Sequence, residues 1–163
     1  MKNTVRFFVM SIAIGIITVS CLISSTHKMD MNENLPIEQK AVVTFVNNNI
    51  GWFILKEWNG IDITDRVYGK KGVTSKDKAI LTVPAGENSF LYKVNFTWFY
   101  NQSTRTVALD NIEMKYSYEP NKKYQVKGRT KSLGLFKKDE LFVGIYEVDK
   151  NSVLLREWKL GEY

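Results

Sequence analysis

The chain has 163 residues, a formal net charge of +6, 44% hydrophobic and 13% aromatic residues, and only one cysteine and one histidine. A lone cysteine excludes an internal disulfide, and the shortage of both residues leaves no ligand set for the usual zinc sites. Neither Cys nor His occurs beyond residue 40, which excludes Ser-His-Asp and Cys-His nucleophilic sites in their usual form from the body of the protein.

The chain opens with Met1, Lys2 and Arg6, then an apolar run from Phe7 to Val19 broken only by Ser11, Gly15 and Thr18. A short basic start followed by such a run is the pattern of a signal peptide, so residues 1–20 are read as a targeting segment. Cys21 follows directly, after Thr18-Val19-Ser20. This resembles the bacterial lipobox, in which the cysteine thiol receives a diacylglycerol, although Thr18 stands where Leu is usual. The resemblance implies a lipidated Cys21, a membrane partner through that anchor and a place in the cell envelope. With Leu22 rather than Asp next, it favours the outer membrane where the cell has one. Two other readings compete: cleavage further along near Ser25, and an uncleaved anchor, for which Phe7 to Ile23 sits at the short limit of roughly 17–25 residues. A lipid anchor holds strongly, at about 0.8 kcal/mol per buried methylene, provided about two chains are attached.

Residues 21–40 read as the lipidated cysteine and a flexible tether, polar and without sustained periodicity. His27 lies here, and a metal or catalytic role is not expected on a tether. From Ala41 to Tyr163 the pattern is that of an all-β domain, an antiparallel β-sandwich or open barrel of about nine strands. Ala41–Asn47 is the first strand. Trp52–Trp58 and Ile61–Val67 flank Asn59-Gly60, the dipeptide of a type I′ hairpin turn. Ala79–Val83 leads into a turn at Pro84-Ala85-Gly86-Glu87. Over Asn88–Tyr100 the period is two: Phe90, Tyr92, Val94, Phe96, Trp98 and Tyr100 share one face and should form the core. In Arg105–Tyr118, Val107 and Leu109 have one parity and Ile112, Met114, Tyr116 and Tyr118 the other, which predicts a β-bulge at Asp110-Asn111. Strands follow at Lys123–Lys131, Leu141–Val148 and Val153–Leu160.

Val83-Pro84-Ala85-Gly86-Glu87-Asn88-Ser89-Phe90 and Tyr118-Glu119-Pro120-Asn121-Lys122-Lys123-Tyr124-Gln125-Val126 resemble the paired turn motifs of small envelope β-domains. Among these are PEGA-like modules and bacterial lipoproteins of unknown function. The resemblance implies an envelope location and a β-fold, and says little about ligand, because turn motifs specify shape.

A non-catalytic binding or structural module is the expected function, with no cofactor or metal. A partner in the envelope, protein or anionic polymer, fits that location; nucleic acid does not. Lys122, Lys123, Lys127, Arg129, Lys131, Lys137 and Lys138 occur with no acid between them and suggest contact with a membrane surface or anionic glycan. Between them, Leu133, Leu135 and Phe136 form an apolar loop that could enter the headgroups. Against this stands a plain solvated strand face with its loop folded on the core. A small hydrolase would need a carboxylate pair from Asp62, Asp65, Asp110, Glu113, Asp139 and Glu140, and nothing in the sequence sets two of them apart from surface charge. Sugar stacking has Trp52, Trp58, Trp98, Phe99 and Trp158 as candidates. Phe99, opposite in parity to the core row, is the one expected to be exposed.

Overall fold

The computed structural model describes residues 25–48, 50–69, 77–100, 103–133, 138–148 and 152–163, with the side chain of Tyr100 also undescribed. Its centre is the alternating strand. In β6 (Gly86–Tyr100) Phe90, Tyr92, Val94 and Phe96 are at most 1% exposed and Trp98 is 9% exposed, as the period of two requires. β6 pairs on one side with β7 (Ser103–Tyr118) and on the other with β3 (Gly51–Trp58), which in turn pairs with β4 (Ile61–Asp62). These four form one sheet, in the order β4-β3-β6-β7. The bulge in β7 is where the parity change placed it. Tyr92 pairs with Ile112 and Val94 with Leu109, so Asp110 and Asn111 together oppose Lys93, and Asn111 takes a left-handed φ of 55°.

The second sheet has six strands in the order β1-β5-β2-β8-β9-β10. They are β1 (Thr26–Asp30), β2 (Lys40–Val46), β5 (Lys78–Pro84), β8 (Lys123–Lys131), β9 (Glu140–Glu147) and β10 (Val153–Glu162). The sheets meet through edge-to-face rings: Phe45 of β2 lies 5.8 Å from Phe53 of β3 and 5.3 Å from Phe90 of β6. Tyr118 and Tyr124, 4.9 Å apart, extend the same cluster. Gly128 of β8 and Gly51 of β3 mark a close approach. A Cβ on Gly128 would stand 2.9 Å from Cε1 of Phe96 and 3.3 Å from the Gly51 Cα.

Three expectations are corrected. The segment read as a tether is, from Ser25 onward, part of the fold: β1 pairs in parallel with β5 along Thr26 to Asp30, and Met31 is buried. Without β1, β5 would present an open edge to solvent, and pairing that edge removes the liability. Lys40, 4% exposed, ties the junction through Nζ to Asp30 Oδ2 at 2.7 Å. Second, Ile61–Val67 is not one strand. After Asp62 the chain turns into a short helix, α1 (Thr64–Tyr68), because Asp62 Oδ1 accepts the Thr64 N–H and Ile63, Val67 and Tyr68 bury one helical face. Third, the sheets are not wholly antiparallel, since β1–β5 and β2–β8 run parallel. The described residues hold ten strands, the extra one being β1.

Candidate functional site

The basic segment is laid out as its parity predicts. Tyr124, Val126 and Gly128 face inward and Lys127, Arg129 and Lys131 face out. Carboxylates from neighbouring strands meet several of these cations. Arg129 donates two hydrogen bonds to Glu157 and stacks on Phe142 at 4.2 Å, and Lys131 lies 3.8 Å from Glu140. Lys122, at the far end of β8, pairs with Glu147 and lies 3.8 Å from Glu119. Its ammonium pKa is raised, chiefly by the hydrogen bond to Glu147; that of Arg129 is raised by its bond to Glu157. Lys127 sits over the Tyr146 ring at 5.2 Å, and Lys123 is exposed. Lys138 and Leu133 are exposed at the β8–β9 end, whereas Cys21, Leu135, Phe136 and Lys137, with the leader 1–20, lie outside the described residues.

The carboxylates scatter. Asp62 accepts the Thr64 N–H just before α1 and Asp65 is exposed on it. Asp110 pairs with Lys56 at 2.5 Å, and that hydrogen bond lowers its pKa. Glu113 pairs with Lys115 at 3.1 Å on the exposed face of β7. Glu140 points outward to Lys159, whose hydrogen bond lowers its pKa. Asp139 differs from all of these. It is 1% exposed, and its Oδ2 accepts the Trp98 indole N–H at 2.7 Å across 41 residues of chain. A reciprocal backbone pair with Tyr163, at 2.8 and 2.9 Å, fixes the position of its main chain. Among the described residues Oδ1 has no hydrogen-bond partner. A buried polar atom without a partner costs about 1–3 kcal/mol, more for a charged group, and needs a reason.

Asp139 also stands beside open space. A cavity of about 480 Å³ opens between the β6–β7 and β8–β9 ends, and Asp139 lines it. Trp98, Phe99 and Thr104 form the wall on the four-stranded sheet, Thr130 and Ser132 the opposite one, and Ile50 lies at the approach to β3. Phe99 is 73% exposed, as its parity required. The other sugar-stacking candidates lie elsewhere: Trp58 donates its N–H to Asn88 Oδ1 at 2.8 Å, Trp158 lies under Arg156 at 4.9 Å, and Trp52 is half-buried on β3. Asp139 had a legible signal, since it shares parity with the inward residues Leu141, Val143 and Ile145.

His27 is held against the ring of Tyr68 at 5.2 Å, with Nε2 3.7 Å from Asp77 Oδ2, so it is packed rather than free on a tether. Among the described residues there is no group of His, Cys, Asp and Glu that could hold a metal ion, and no helix long and apolar enough to cross a membrane. The chemistry on offer at the cavity is a fixed acceptor, hydroxyls and aromatic surface, with one carboxylate in its described lining. No protein-family model matches this chain, no characterised protein matches it in sequence, and no solved structure matches its fold.

Proposed function

We propose that this is a lipid-anchored cell-envelope protein whose β-domain is a non-catalytic binding module, with the cavity between the β6–β7 and β8–β9 ends as its ligand site. The observation that carries the binding reading is the buried Asp139, whose Oδ1 has no hydrogen-bond partner among the described residues, in the lining of a cavity that Trp98 and Phe99 also line. An acceptor held ready at a fixed position, with aromatic surface around it, suits recognition of a small polar group. A carboxylate-pair hydrolase has less support, because the remaining candidate acids are engaged or exposed away from the cavity. So does contact with an anionic glycan through residues 122–138, since Glu147, Glu157 and Glu140 already meet Lys122, Arg129 and Lys131. The anchor is supported by the leader and by Cys21 at its end; the PEGA-like resemblance supports an envelope setting, with the outer membrane as the place where a cell has one.

Two measurements test this. Fatty-acid labelling in cells should mark the wild type and leave Cys21→Ser unlabelled and released from membranes; label on the variant would end the anchoring claim. A photo-crosslinking residue at position 99 should capture an envelope component that the same residue at the exposed Asp65 does not. Equal capture at both positions would remove the cavity from the proposal.

A further inference from the structure

We infer that the cavity takes an organic ammonium group carrying at least one N–H, donated to Oδ1 of Asp139, with the cation set against the aromatic surface of Trp98 and Phe99. This inference rests on the binding-module reading and specifies its ligand class.

The argument starts from charge. Asp139 is 1% exposed, and its partners are the Trp98 indole N–H and the backbone of Tyr163, none of them cationic. Among the described residues no ion pair engages it, in contrast to Glu140 next along the chain, which has Lys159 and Lys131. A buried carboxylate with an unfilled lone pair is best met by a donor that is also positive, because neutralisation and a charge-assisted hydrogen bond then act together. The walls agree. Aromatic faces attract cations, Trp most of all, and the Thr104 and Thr130 side chains in the lining carry hydroxyl oxygens that can accept further N–H groups. A neutral sugar hydroxyl would fill the lone pair and leave the charge standing. A quaternary ammonium would answer the charge and leave the lone pair empty.

A primary ammonium reaches such a site either as a soluble amine or as a lipid headgroup, and the topology places the second close by. β1 runs parallel to β5, β5 antiparallel to β2, and β2 parallel to β8. The chain therefore enters the six-stranded sheet at the end where β8 finishes and the cavity opens. Cys21 precedes Ser25 by four residues, a reach of at most about 14 Å. The exposed Ile50, Phe99 and Leu133 lie at this same end.

The test follows the indole N–H resonance of Trp98, assigned with Trp98→Phe, in full-length protein in a polyoxyethylene detergent. Ethanolamine should shift it saturably, choline at least tenfold more weakly, and ethylene glycol and glucose not at all. Asp139→Asn should lower the ethanolamine affinity at least tenfold while the protein stays folded with a Tm at or above wild type. Phe99→Ala, at an exposed position, should weaken it severalfold. A response to glucose or ethylene glycol equal to that of ethanolamine, or full ethanolamine binding by Asp139→Asn, overturns the ammonium assignment and leaves the binding module standing. If no probe moves the resonance while position 99 still captures an envelope component, the assignment again fails alone; if capture fails too, both fall. Bicelles separate the sources. A shift with phosphatidylethanolamine and not phosphatidylglycerol marks the headgroup, and a shift only on adding free ethanolamine marks a soluble amine.

Discussion

Gly128→Ala tests how tightly the two sheets are joined. The added methyl would lie 2.9 Å from Cε1 and 3.4 Å from Cζ of Phe96, and 3.3 Å from the Gly51 Cα. None of these neighbours can yield freely: Phe96 is fully buried, and the Gly51 contact is backbone. Overpacking of this kind costs about 1–3 kcal/mol. Replacing Gly by Ala in a strand returns about 0.5–1 kcal/mol, so the net loss should be about 0–2.5 kcal/mol, or up to roughly 10 °C in Tm. Urea denaturation followed by tryptophan fluorescence measures it. Phe96→Leu supplies the control, since leucine lacks the two ring atoms that the new methyl meets. Alone it should destabilise by leaving a cavity. Combined with Gly128→Ala, the loss should be smaller than the sum by about 1 kcal/mol. A Gly128→Ala protein more stable than wild type, or strictly additive costs, would show that the sheets are not in the contact described.

Two further outcomes are expected. Asp139→Asn, which keeps an acceptor for the Trp98 N–H and removes a buried carboxyl that no cation faces among the described residues, should match or exceed the wild-type urea midpoint. Asp139→Ala, which strands that N–H, should fall below the Asn variant by about 1–3 kcal/mol. The second outcome concerns alkaline pH. Burial pushes the Tyr68 phenol up to about 12, and burial also raises Tyr92 and Tyr118. Unfolded tyrosines ionise near pH 10, so above that pH the unfolded chain gives up protons that the folded one retains. Stability from these groups is therefore complete below about pH 10 and lost as pH rises toward the folded-state values. Urea midpoints measured from about pH 9 upward should fall once pH 10 is passed, and a flat profile would refute it.

The core was legible because it is written locally. Five side chains at every second position of β6 fix which face is inside, and the parity slip at Asp110-Asn111 reveals the bulge without any knowledge of the partner strand. The sequence was silent where partnership decides. Thr26 to Asp30 has a polar pattern that no local rule reads as a strand, and it becomes one only because the edge of β5 is there to receive it. Ile61 and Asp62 begin as the expected strand, but the Asp62 carboxylate offers the Thr64 N–H a local partner and the chain turns away.

The site shows the same division in its chemistry. Seven cations with no intervening acid looked like one basic surface, because sequence displays a strand's own charges and hides those across the sheet. Glu140, Glu147 and Glu157 belong to β9 and β10, and pairing brings them onto Lys131, Lys122 and Arg129. The same strand pairing that offsets those positive charges leaves Asp139, one residue before β9, facing inward among apolar neighbours. It meets an indole there rather than a lysine. A surface reading from one strand's charges thus changes: three of the exposed cations meet carboxylates across the sheet, and among the described residues the buried Asp139 keeps one carboxylate oxygen without a hydrogen-bond partner.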